Sequence, residues 1–170
     1  NLANLAQSLV PVLNPDREKA TSLAQEAIDA YPELFQSAYR RGLARKLGLK
    51  ELQPDDEALA TDLLALMAAE QADFTLTFRR LAEKAQPDAP QDLAGIFDFS
   101  EAFTPWLERW QKRLDEDSQA PEQRQQQMFH ANPVFIPRNH LVEAAINAAV
   151  GEEDYSVFNG LVDLLEKPHE

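Results

Sequence analysis

Leu2, Leu5, Ala6, Leu9, Val10 and Leu13 recur every three or four residues, the period of a helix with one apolar face. The pattern runs into Asn14-Pro15-Asp16, where Asn14 is placed to cap a second helix whose first residue is Pro15. That helix carries Leu23, Ala24, Ala27, Ile28 and Tyr31 on one face. Pro32 is expected to interrupt it, because proline lacks the backbone donor and crowds the preceding turn. A third helix follows through Phe35, Ala38, Tyr39, Leu43 and Leu47, and Gly48 is placed to end it as a C-terminal cap. Pro54-Asp55-Asp56-Glu57 opens a fourth, with Leu59, Leu63, Leu66 and Met67 as its apolar face. A fifth spans about Asp73 to Ala85, with Asp73 as N-cap and Phe74, Phe78 and Leu81 facing inward.

The second half is less regular. Residues 86–92, with Pro87, Asp88 and Pro90, read as a loop. Phe97, Phe99 and Phe103 lead into a helix bearing Trp106, Leu107, Trp110 and Leu114. Residues 115–127 are polar and glutamine-rich, and predict a mobile loop followed by an exposed helix start at Pro121. Asn132 to Pro137 is extended, since each proline biases its predecessor away from helix. Two short helices, Leu141–Ala149 and about Tyr155–Leu165, flank a turn at 151–154. No segment reads as strand. The expectation is an all-α single domain over residues 1–170, an irregular bundle of about eight to ten helices.

Composition agrees and narrows the function. Five glycines among 170 residues and 44% apolar content favour a helical globular chain. The formal net charge is −13, from 29 acidic and 16 basic residues. Such a surface repels phosphate backbones and anionic lipid heads, so neither nucleic acid nor membrane is an expected partner. No apolar run reaches membrane-spanning length and no leader is visible. With no cysteine, thiol chemistry and Cys-ligated zinc are excluded, and a reducing, cytoplasmic setting is expected. Asn1 in place of Met reads as a boundary within a longer chain.

Candidate chemistry is sparse. No glycine-rich phosphate loop occurs. His140 and Glu143 share a helix face and could ligate a metal, but one such pair is a thin site; a metal hydrolase would rest on it alone. Asp55, Asp56 and Glu57 could split their pKa values for acid–base work, yet helix-dipole stabilisation explains acids at a helix start. Asp73 could alternatively link to Arg79 or Arg80. Trp106 and Trp110, one turn apart, could stack a base but continue a core face with Leu107 and Leu114. Arg40, Arg41, Arg45, Lys46 and Lys50 form either a docking patch or a solvated helix end. Arg138, Asn139 and His140 form a polar cluster in which Asn139 can cap the next helix and Arg138 can pair with a carboxylate.

These residues also carry a resemblance. Asn1-Leu2, Leu5-Ala6 and Leu9-Val10-Pro11 resemble a "WNLxRLAxALxPL" stretch of the selenoprotein O (SelO/YdiU) family, with Asn4 in place of the usual basic residue. Lys46-Leu47-Gly48-Leu49 is similar to its "KLGL", and Asp73-Phe74-Thr75 to Phe78-Arg79-Arg80-Leu81 to its "D(Y/F)TxxFRxL". Trp106, Trp110 and Arg113-Leu114 resemble its Trp-rich helix. Met128, Asn132-Pro133, Phe135 to His140, and Val142-Glu143 resemble a bacterial "MxxxNPxxIPRNHxVE" signature. The motifs follow the family order along nearly the whole chain.

The resemblance implies the C-terminal part of a protein-kinase-like fold. The family's enzymes transfer AMP from ATP to protein hydroxyl side chains, using Mg²⁺ or Mn²⁺. Their nucleotide, metal and catalytic residues precede the first of these motifs. No catalytic, cofactor-binding or metal residue is therefore expected within these 170 residues, and the segment alone is expected to be inactive. Its expected partners are the upstream kinase-like core and, for the whole protein, protein substrates. The alternative is a stand-alone helical interaction module.

Overall fold

The computed structural model describes residues 1–86 and 103–169. The loop expected at 87–92, and Phe97 and Phe99, lie outside the described residues. Eight α-helices and no strands are found among those described: α1 Leu2–Leu13, α2 Arg17–Leu47, α3 Asp56–Ala69, α4 Phe74–Lys84, α5 Phe103–Glu116, α6 Pro121–Ala131, α7 Asn139–Glu152 and α8 Ser156–Leu165. The chain divides into two compact units, Asn1–Gly42 and Leu43–Glu170.

The first unit holds α1 and most of α2. The cap of α2 is Asp16 rather than Asn14: its carboxylate accepts from the Glu18 and Lys19 amides at 2.9 and 3.2 Å. Asn14 sits two residues earlier and accepts from the Asp16 amide at 2.9 Å. Pro32 does not break the helix, which runs through it for 31 residues. A proline removes one hydrogen bond of many. Tyr31, Phe35 and Tyr39 form an i,i+4 ladder across it, with ring centroids 5.9 and 6.1 Å apart, and such pairs stabilise the turns that Pro32 weakens. Much of the apolar surface here is unburied, including Leu5, Leu34 and Phe35.

The second unit contains the core. Trp106, Trp110, Phe78, Leu47, Leu49, Leu63, Leu81 and Met128 are fully buried, and each large apolar side chain contributes about 1.5–3 kcal/mol. α3 packs on α5, and α4 on α6. Gly48 ends α2 in the left-handed region, φ 75°. The Leu49 amide reaches back to the Ala44 carbonyl at 2.8 Å, closing the turn as glycine-ended helices do. Asp73 caps α4 through the Leu76 amide at 2.9 Å.

α6 begins at Pro121 with Glu122 and Gln123 exposed, but Arg124 and Met128 further along it are buried. The Arg124 guanidinium donates to the carbonyls of Leu114, Gln119 and Asp117 at 2.7, 3.2 and 3.4 Å. It sits on the C-terminal end of α5, where the orphan carbonyls attract a cation. α7 starts at Asn139, so Asn139 is not its cap, and Arg138 at the cap position makes no side-chain capping bond. The turn expected at 151–154 lies later, because α7 continues through Gly151 and Glu152 and ends with Glu153 at φ 55°.

Candidate functional site

Several residues shared with the family motifs, Lys46, Phe74, Phe78, Arg79, Trp110 and Asn132, come together where the end of α2 meets α4, α5 and α6. Lys46, near the end of α2, is half-buried. Its ammonium donates to the Ala131 carbonyl at 2.9 Å and to Asn132 Oδ1 at 3.1 Å. It also lies 5.7 and 5.4 Å from the ring centres of Phe74 and Phe78, which are themselves 4.9 Å apart. The cation thus meets the C-terminal end of α6 and two ring faces, both negative partners. Among the described residues no carboxylate forms an ion pair with it. Burial pulls its pKa below the usual lysine range, because a charged ammonium loses hydration there.

Asn132 closes the arrangement. It is buried, and its Nδ2 donates to the Lys46 carbonyl at 3.1 Å while its Oδ1 accepts from Lys46 Nζ. Its own carbonyl accepts from Arg79 at 3.4 Å, and the Arg79 guanidinium rests 4.2 Å from the Phe129 ring centre. One residue beyond Lys46, the Leu47 carbonyl accepts from Trp110 Nε1 at 2.9 Å. A carbon added at Gly48 would lie 2.5 Å from Met128 Sδ, so the glycine admits the methionine as well as the turn.

The Asp73 carboxylate pairs with Arg138 at 2.7 Å, and not with Arg79 or Arg80; Arg80 pairs with Glu83. Burial raises the Asp73 pKa, but the Leu76 amide, the hydrogen bond and charge of Arg138, and the Thr75 amide outweigh it and hold the group below the ordinary carboxylate range. Asp73 thereby does two jobs: it caps α4 and ties the segment leading into α7.

Several of the other candidates make contacts within the fold. Trp106 and Trp110 are core side chains, stacked at 6.0 Å, and Trp106 Nε1 donates to the Leu59 carbonyl at 2.7 Å. Asp56 is 3% exposed; it accepts from Arg113 Nε at 2.8 Å and from the Gln53 amide at 2.7 Å. The acidic helix start therefore hides a buried ion pair that reading residues 55–57 alone could not reveal. Of the basic group, Lys46 is withdrawn as described, Arg40, Arg41 and Arg45 each have an interaction partner, and the Lys50 amide donates to Asp117 at 3.0 Å. His140 and Glu143 are exposed on the first turns of α7. No group of three or more metal-ligating side chains occurs among the described residues, and no described helix is long and apolar enough to cross a membrane.

A half-buried lysine held by two oxygens, a carboxylate committed to an amide and a guanidinium, and an asparagine with both side-chain ends engaged can lock helices together. Sequence reasoning identified these residues but not their pairing.

Comparison with known proteins fits this pattern of shared motifs. The family profile described as "Protein adenylyltransferase SelO" matches residues 1–166. The chain is 47% identical to "Protein nucleotidyltransferase YdiU" of Bradyrhizobium diazoefficiens over 170 residues, covering 100% of the chain and 35% of that protein. It is 43% identical to the protein of that name from Rhizobium meliloti, covering 35% of it, and 43% identical to that from Methylorubrum populi, covering 36%. The chain thus spans about a third of the length of these relatives. With its interlocked motif residues and a profile match over residues 1–166, the chain belongs to the SelO protein adenylyltransferase family.

Proposed function

We propose that these 170 residues are the helical scaffold of a nucleotidyltransferase that moves AMP from ATP to hydroxyl side chains of proteins. The ATP, the Mg²⁺ or Mn²⁺ and the groups that do the chemistry belong to a kinase-like core outside this segment. The observation that carries the reading is the commitment of Lys46, Asp73, Asn132 and Arg138 to one another and to backbone groups. Side chains that serve catalysis keep a reactive atom turned toward a cleft, whereas these engage their polar atoms with each other and with backbone groups. The share of the relatives' length covered, 35%, leaves ample chain for such a core.

The test is AMP transfer from ATP labelled on the α-phosphate to a general protein acceptor with Mg²⁺ or Mn²⁺. The full-length protein is expected to label the acceptor, and residues 1–170 alone are not. Labelling by residues 1–170 alone would overturn the proposal.

A further inference from the structure

We propose that the groove between α7 and α8 is the docking site for an amphipathic helix, its apolar face flanked by Lys and Arg, contributed by the part of the same full-length protein outside these 170 residues. The inference rests on the reading above that the chain is a segment of a longer enzyme.

α7 and α8 pack against each other and leave between them a groove of about 330 Å³, lined by Val142, Ile146, Ala149, Phe158, Val162 and Leu165 among others, all apolar but for a tyrosine hydroxyl. Only Ala145 of α7 is buried, and no residue of α8 is. Ile146 is 56% exposed and Phe158 52%. Contiguous apolar surface of this kind marks an interaction site. The hairpin is also held in position. Arg138 pairs with Asp73 before α7. After α8, the Pro168 carbonyl accepts from the Val134 and Phe135 amides at 2.7 and 3.2 Å, and His169 Nδ1 meets the Phe129 carbonyl at 3.0 Å. A groove with fixed ends is suited to receive a helix by its i, i+3, i+4 and i+7 side chains.

The charge around the groove selects the occupant. At 100° per residue, Glu143 and Glu152 fall on either side of the lining stripe of α7. Glu153 and Asp154 occupy the connection, and Glu166 flanks the lining stripe of α8 at its C-terminal end. All are exposed, and no ion pair joins them to a cation among the described residues. A helix with basic flanks would complement this rim. A second copy would bring the same carboxylates face to face, and like charges opposed across an interface disfavour that pairing. An anionic lipid surface is repelled likewise. A helix in the same polypeptide also has the advantage of high effective concentration.

The test uses single cysteines in the full-length protein, read site by site by mass spectrometry after brief maleimide labelling; residues 1–170 contain none of their own. Ile146→Cys reports on the groove. Asn147→Cys, exposed one residue along and turned away from it, is the reference. The expected result is labelling of Ile146→Cys about tenfold or more slower than Asn147→Cys, since a covered site reacts only when it opens. That protection should weaken as salt rises, and weaken again with Glu143→Lys and Glu152→Lys together. Equal rates at the two sites would overturn the proposal even where AMP transfer is intact, which separates its failure from that of the enzymatic reading. Protection unmoved by salt and charge reversal would refute the basic flanks. Protection that grows with protein concentration would assign the groove to a second copy instead.

Discussion

Replacing Gly48 by alanine tests the packing at the centre of the motif cluster with one methyl group. Gly48 has φ 75°, and an L-residue in that region costs about 1–2 kcal/mol. The new carbon would also lie 2.5 Å from Met128 Sδ and 3.0 Å from Arg124 Cγ. Met128 is fully buried and Arg124 is fixed by three carbonyls, so neither can swing into solvent. Overpacking of this kind costs about 1–3 kcal/mol. The sum, about 2–5 kcal/mol, corresponds to a fall in Tm of roughly 4–20 °C for a chain of this size. Thermal unfolding followed by circular dichroism measures it. Shortening the methionine separates the two causes. Met128→Ala alone costs about 2–5 kcal/mol as a cavity, but in combination with Gly48→Ala it relieves the clash, so the double variant should lose about 1–3 kcal/mol less than the sum. A Gly48→Ala protein within about 1 kcal/mol of the parent, or strict additivity with Met128→Ala, would refute the reasoning.

Other expectations follow from the buried polar contacts. Arg113→Met strands the Asp56 carboxylate, whose side chain is 5% exposed, and should cost about 3–5 kcal/mol; adding Asp56→Leu should recover most of it in urea unfolding. Trp110→Phe keeps an aromatic ring but leaves the Leu47 carbonyl without its donor, a loss of about 1–3 kcal/mol in the same assay. The folded-state pKa of Asp73 is depressed, so its contribution is fully present above the unfolded value of about 3.9 and disappears as pH falls through the lower folded value. The Tm gap between the parent and Asp73→Asn should therefore be constant from neutral pH down to about pH 5 and close below about pH 4; a gap that widens on acidification would contradict the Arg138 pairing.

Features set by neighbours in sequence were legible in advance. Gly48 as a helix end, Asp73 as a cap and the Trp106–Trp110 face needed only local spacing. What escaped depends on partners far along the chain. Asp56 and Arg113 are 57 residues apart, and Lys46 and Asn132 are 86 apart, so no local pattern announces either pair. Nor does the glutamine-rich stretch announce that Arg124 is buried by the carbonyls at the end of α5, a demand of tertiary structure and not of its own helix. Pro32 misled: the rule is local, and the aromatic ladder beside it offsets the missing bond.

The central claim is that the motif residues hold the scaffold and take no part in the reaction. AMP transfer by the full-length protein carrying Asn132→Ala or Arg138→Gln, measured alongside the Tm of each variant, tests it most directly. The account predicts a lowered Tm and a rate per folded molecule within about threefold of the parent at a temperature where each is folded. A loss of about a hundredfold or more at unchanged Tm, the size expected on removing a group that acts in the transition state, would contradict it.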